Sequence, residues 1–225
     1  MYPKPTRRPP PWRALYDRLY RAWGPQHWWP GRTPLEVMVG AVLTQNTAWS
    51  NVEKAIRRLR QRRLLSLGRL HETPLRELAD AIRPAGYFNV KARRLRALTR
   101  LVIGRYGSLP ALFRLDTGAL REALLSVNGV GPETADSILL YAAGRPVFVV
   151  DAYTRRFLVR HRWRKPDAAY EDIAALFTNS LPPSVPLYNE FHALIVHLGK
   201  TCCRPEPRCS ECPLARWLPP GGPRM

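Results

Sequence analysis

A chain of 225 residues with 36 lysines and arginines against 17 aspartates and glutamates carries a formal charge of +19, an excess that marks a polyanion partner, nucleic acid before any other. No window approaches about 18 uncharged apolar residues and no lipidation signal is evident, which argues against a membrane partner. All four cysteines fall within residues 202–212, pointing to a metal site in a reducing compartment rather than to disulfides.

The chain opens on MYPKPTRRPPPW, a basic, proline-rich stretch without an apolar h-region, read as a flexible arm and not a signal peptide. The protein is therefore expected in the cytoplasm, associated with the nucleoid of a prokaryotic-type cell. Helical hydrophobic periods predict helices over about 12–22, 34–47, 49–63, 74–83, 88–106, 117–126, 132–143, 151–161, 168–181 and 186–199, separated by turn signals such as WGPQ, RPAGY, YGSLP, NGVGP and LPPSVP. Short helices with short links imply an all-α bundle of one or two lobes. Thr33, Pro34 and Glu36 have the spacing of an N-cap, first-turn proline and capping box. The helix they start is apolar on nearly every side, so it is expected to be central and to deliver Gln45, Asn46 and Thr47 to a protected place. Further on, Lys91, Arg93, Arg94, Arg96 and Arg100 recur too closely to share one helix face; some are expected in solvent and some, Lys91 among them, against phosphate.

The most informative stretch is SVNGVGPETADSILLYAAGRPVFVVD, residues 126–151. One helix ends at Ser126, the chain turns through Gly129, Val130 and Gly131, and a second helix starts at Pro132. The glycines allow positive φ and close backbone approach, and amides backed by a helix N-terminus make a site for phosphate. A helix-hairpin-helix of this kind grips a DNA backbone without reading sequence. A short β-prone run, RPVFVV, then ends on Asp151. That aspartate can cap the helix that follows, and a carboxylate near a DNA-binding hairpin can also stabilise oxocarbenium character and deprotonate a water during glycosidic cleavage.

The run from Leu124 to Arg156 resembles the helix-hairpin-helix and Gly/Pro-loop-Asp signature of the endonuclease III superfamily of DNA glycosylases. With WWP, LTQNT and GVGPETA it is most similar to the endonuclease III-like 3-methyladenine DNA glycosylases. The resemblance implies that Asp151 is catalytic and that Glu133 occupies the position where bifunctional members carry a Schiff-base lysine. A carboxylate cannot form an imine, so the implied enzyme is monofunctional and leaves an abasic site. Nothing in the sequence places Lys91 or Lys200 at the sugar as a substitute. By the same resemblance Asn46 fills the space of an extruded base and Tyr87 intercalates opposite; the turn residues Gly129, Val130 and Gly131, and Lys91 of the basic run, are expected against DNA from their own chemistry. Trp28, Trp29 and Trp49 offer indole faces for a base, best suited to cationic alkylated purines, though tryptophans also anchor helices.

Relatives carry C-x6-C-x2-C-x5-C ligands for a 4Fe-4S cluster. Here Cys202, Cys209 and Cys212 keep the first three positions, Leu218 stands at the fourth, and Cys203 is the spare thiol. A 4Fe-4S cluster on Cys202, Cys203, Cys209 and Cys212 is expected, with zinc on the same thiolates, or no metal at all, as the rivals. The implied fold is all-α with two helical lobes: residues 1–26 form an arm and a helix packing with the cluster lobe, 27–145 a six-helix barrel ending in the hairpin, and 146–225 the lobe with Asp151 and the iron-sulfur loop. Double-stranded DNA with a damaged base would lie in a cleft between the lobes of a monomer. Two other functions stay open: an endonuclease III-type glycosylase for oxidised pyrimidines or mismatches, and a lesion-binding protein that has lost catalysis.

Overall fold

The structure, a computed structural model, describes residues 8–29 and 31–224; most of the basic arm, residues 1–7, lies outside them. The described residues form helices and loops without a strand. In chain order the α-helices are α1 (Trp12–Trp23), α2 (Pro34–Leu43), α3 (Trp49–Gln61), α4 (Leu67–Glu72), α5 (Leu75–Ala81), α6 (Phe88–Leu101), α7 (Leu109–Phe113), α8 (Thr117–Leu125), α9 (Pro132–Tyr141), α10 (Ala152–Arg160), α11 (Tyr170–Thr178) and α12 (Val185–Thr201). No helix among the described residues is long and apolar enough to cross a membrane.

The all-α expectation holds, with three local differences. Helices α4 and α7 were not expected, because six and five residues are too few to show a period. Their one local signal is a serine cap: Ser66 accepts from the Arg69 amide and Ser108 from the Ala111 amide. The β-prone run 146–150 is extended loop rather than strand; Phe148, Val149 and Val150 are buried among helices, where no second strand pairs with them. Helix α2 stops at Leu43, so Gln45, Asn46 and Thr47 form a turn beyond it.

The described residues divide into two compact units: one takes the chain up to Trp29 and from Pro146 onward, the other runs between them as far as Arg145. In the second unit α2 is the centre. Every residue from Glu36 to Leu43 is buried, and α2 packs against α3, α6 and α9. Each aliphatic side chain buried there contributes about 1.5–3 kcal/mol. Thr33 caps the helix as expected, accepting from the Glu36 amide at 3.2 Å. The reciprocal half of the capping box is replaced: the buried Glu36 carboxylate pairs with the Arg60 guanidinium of α3, because a buried carboxylate needs a cation more than another amide.

In the first unit α10 and α1 pack on α12. Phe148 stacks on Phe177 with centroids 3.8 Å apart and planes 2° from parallel, and Trp12 lies 4.5 Å from the same Phe177 ring. This aromatic core anchors the extended run that leads into Asp151.

Candidate functional site

Asp151 sits at the N-cap of α10 in extended backbone, φ −106° and ψ −177°. Its Oδ1 accepts from the Thr154 amide at 2.7 Å and from the Thr154 hydroxyl at 2.9 Å. The preceding amide, that of Val150, donates to the Tyr170 hydroxyl at 3.2 Å. Its other oxygen, Oδ2, lies 3.6 Å from Nε2 of His192 on α12. Burial pushes the His192 imidazole below its ordinary pKa, only partly opposed by the Asp151 charge, so a neutral ring faces the carboxylate at neutral pH. One oxygen caps the helix and fixes the side chain; the second faces His192 and takes no part in the cap. Capping and catalysis, set against each other in the sequence, are compatible in one residue.

The hairpin joins α8 to α9. Arg121 on α8 grips Asp136 on α9 with two hydrogen bonds, 2.7 and 3.3 Å, the Asp136 side chain being only 5% exposed. Gly129 has φ +86°, and a Cβ added there would meet the Arg94 side chain at 2.5 Å; conformation and space both require glycine. Val130, expected to contact DNA, serves the turn instead. Its side chain is buried, and its amide donates to the Val127 carbonyl at 3.0 Å. Glu133 is exposed on the first turn of α9, where a carboxylate is favoured by the helix dipole.

Asn46 and Tyr87 are both exposed and both left-handed, with φ of 52° and 43°. Such backbone costs about 1–2 kcal/mol per residue, less for asparagine than for tyrosine. Tyr87 is 71% exposed, which excludes the packing role that a tyrosine at a helix start can have. Lys91 does not meet phosphate: it is 1% exposed, and its Nζ donates to the Leu43 carbonyl at 2.9 Å, the Thr47 hydroxyl at 2.8 Å and the Ala85 carbonyl at 2.8 Å. An ammonium has three donors and all are used. Burial, with a smaller contribution from Arg94, lowers its pKa to about 8, yet an amine so enclosed cannot attack a sugar. Gln45, which the sequence did not single out from its polar neighbours, links the same turn to the hairpin. Its Nε2 donates to the Gly129 carbonyl at 3.0 Å and the Thr134 hydroxyl at 2.9 Å, while Oε1 accepts from Arg94.

Of the three tryptophans, Trp28 and Trp29 belong to the unit that holds Asp151, and their rings meet edge to face, 5.6 Å apart at 72°. They therefore do not form two parallel plates. The Lys200 ammonium lies 5.6 Å from the Trp28 ring centroid, so that indole face already receives a cation. Trp49 opens α3 in the other unit, its indole N–H donating to Glu53 at 2.9 Å.

The four cysteines line one small cavity of about 10 Å³, together with Arg160, His161, Leu198, Pro207, Leu218 and Pro223. Leu218 thus stands at the wall of the site, and both Cys202 and Cys203 reach it despite being adjacent. Burial first, then the neighbouring thiols, pushes Cys212 up to about 12; a bound metal group would reverse that preference by drawing thiolates. Among the described residues no three His, Cys, Asp or Glu side chains are grouped so that they could hold a metal ion. Two arginines of α10 brace the loop: Arg156 donates to the carbonyls of Cys203 and Gly199 at 2.6 and 2.8 Å, and Arg160 donates to Cys203 Sγ at 3.4 Å and the Pro205 carbonyl at 2.7 Å. The helix that Asp151 caps is the helix that holds the cysteine loop.

A family model for HhH-GPD superfamily base excision DNA repair proteins matches residues 39–183, a span that includes Asn46, Tyr87, the hairpin and Asp151. A Methanocaldococcus jannaschii protein with the provisional name DNA repair glycosylase MJ1434 is 45% identical over 202 residues, 89% of this chain and 92% of its own. Among solved structures, H. pylori 3-methyladenine DNA glycosylase (MagIII) bound to 1,N6-ethenoadenine is similar with a TM-score of 0.71 at 29% identity, covering 83% of this chain and 96% of that one. A non-covalent endonuclease III–DNA complex has a TM-score of 0.80 at 24% identity over 93% and 94% of the two chains, a likeness of fold. The chain belongs to the HhH-GPD superfamily of base excision DNA repair proteins, as an endonuclease III-like DNA glycosylase.

Proposed function

We propose that the protein hydrolyses the N-glycosidic bond of alkylated purines in duplex DNA and forms no imine with the sugar. The supporting observation is Asp151, fixed through Oδ1 by two hydrogen bonds, with Oδ2 outside the cap and 3.6 Å from His192 Nε2. As the C1′–N bond lengthens, its electron pair leaves with the base and the sugar takes on oxocarbenium character that the carboxylate stabilises. Water then bonds to C1′, and Asp151 accepts the water proton and returns it to solvent. A cationic base such as 3-methyladenine leaves as a neutral molecule, so no acid is needed to protonate it. An indole face such as that of Trp28 can stack on a cationic base, for which Lys200 would have to give way, and the likeness to the 3-methyladenine glycosylase points the same way. The amides of Gly129 and Gly131 would take the DNA phosphate, since that of Val130 closes the turn.

The test is a panel of duplexes carrying 3-methyladenine, thymine glycol or a thymine–guanine mismatch, each treated with alkali after incubation. Fastest base loss is expected from 3-methyladenine. Preference for thymine glycol or the mismatch would move the protein to the oxidised-pyrimidine or mismatch class, and tight binding with no release from any duplex would leave only lesion binding.

We assign Cys202, Cys203, Cys209 and Cys212 to a 4Fe-4S group, on the strength of their common cavity. Bound there, it supplies a thiolate-anchored brace for the C-terminal loop and redox capacity. Purified protein is expected to be brown, and Cys203→Ser and Cys212→Ser each to lose the visible absorbance. Colourless protein containing zinc would overturn the assignment.

A further inference from the structure

We propose that Lys91 is a positioning residue, whose buried ammonium ties the turn bearing Asn46 to the loop bearing Tyr87 and so sets the two duplex-probing side chains relative to each other. The inference rests on reading Asn46 and Tyr87 as the residues that enter the duplex. Its own footing is geometric. Leu43, whose carbonyl accepts from Lys91, lies three residues before Asn46; Thr47, the second acceptor, follows it directly; Ala85, the third, stands two residues before Tyr87. Thr47 closes the arrangement by donating its own hydroxyl proton to the same Ala85 carbonyl at 2.5 Å. Three hydrogen bonds and one cross-link therefore join two segments some forty residues apart in sequence, and each segment carries a residue held at positive φ.

The chemistry of the tie is specific to lysine. Three donors at tetrahedral angles on one small nitrogen serve three convergent oxygens; a guanidinium is planar and wider, and an amide has only two N–H donors. Burying an ammonium is costly, as its lowered pKa of about 8 reflects. An apolar side chain would fill the space more cheaply but would leave the loops unjoined. Arg94, one turn further along α6, carries the connection onward through Gln45 to the Gly129 carbonyl. The helix thus relates the probing residues to the phosphate-binding turn as well as to each other.

The test compares affinity for a duplex containing a tetrahydrofuran abasic analogue with affinity for the same duplex intact, which needs neither catalysis nor knowledge of the lesion. Lys91→Met is expected to lower that ratio roughly tenfold or more, the scale of a misplaced binding group, with binding to intact duplex unchanged. Thr47→Val, which removes the hydroxyl bridge and keeps the side-chain volume, is expected to lower it in the same direction and serves if Lys91→Met does not fold. In an Asn46→Ala, Tyr87→Ala background, Lys91→Met is expected to have no further effect on the ratio. A purely structural lysine would instead lower thermal stability and both affinities together. Unchanged ratios in Lys91→Met and Thr47→Val, or a full effect of Lys91→Met in the doubly substituted background, would overturn the proposal. If Asn46→Ala and Tyr87→Ala themselves leave the ratio unchanged, the wedge reading fails and this inference with it, whatever the glycosylase assays give.

Discussion

Replacing Asp151 with asparagine is expected to slow base release by about 10²–10⁴-fold, the usual contribution of a positioned general base, with little change in stability. The substitution is informative because the residue has two roles. Asparagine caps helices as well as aspartate does, and its side-chain oxygen can still accept from the Thr154 amide and hydroxyl that now hold Oδ1. What disappears is the negative charge at Oδ2, to which the proposed mechanism gives the stabilisation of the sugar and the acceptance of the water proton. Asp151→Ala would confound the two, since losing the cap alone costs about 1 kcal/mol. Binding to undamaged duplex is expected to stay level or tighten in Asp151→Asn, because a carboxylate near phosphates has been removed. Single-turnover base release, thermal unfolding and duplex affinity measured on the same preparations check all three. Equal rates for wild type and Asp151→Asn would remove Asp151 from the chemistry and leave it only the cap of α10.

The second large effect is a gain. Glu133 is exposed on the first turn of α9, directly after the hairpin, where the family resemblance puts the imine-forming lysine of bifunctional enzymes. Glu133→Lys is expected to attack the open-chain sugar of an abasic site, lose water to form an imine, and become covalently linked to DNA when borohydride reduces that imine to an amine. The cost is small: exchanging an acid for a base at a helix N-terminus loses about 0.3–1 kcal/mol twice over, once for the favourable charge removed and once for the unfavourable one added. Wild-type protein is expected to give no adduct under the same conditions. Lys91 offers no alternative amine, since all three of its donors point to protein oxygens.

Asp151 is legible in the sequence because its signals are local: an apolar run that stops, a helix that starts, and a glycine-cornered hairpin a fixed distance before. The central α2 is legible for the same reason, with an all-apolar surface behind a threonine-proline cap. What escapes a sequence reading is set by partners distant along the chain. Lys91 looks like one more member of a basic run, yet Lys91, Leu95 and Leu98 recur at i, i+4 and i+7, and that period places it on the buried face. Only the fold supplies the oxygens of Leu43, Thr47 and Ala85 that make its burial tolerable. Gln45 is hidden likewise, because its partners Gly129 and Thr134 lie more than eighty residues away. Glu36 fits a capping box by spacing, and the expectation fails because Arg60 arrives from another helix. The cysteines are intermediate: their number and spacing announce a metal group, whereas the access of both Cys202 and Cys203 to one cavity depends on how the chain turns after α12.

The most direct measurement is borohydride trapping on a duplex whose base loss has been established. Wild-type protein is expected to release the base, to leave a strand that breaks only on alkali treatment, and to yield no protein–DNA adduct, while Glu133→Lys yields one. A wild-type adduct, with strand cleavage before alkali, would show a lysine acting as nucleophile and would contradict hydrolysis by Asp151 and water.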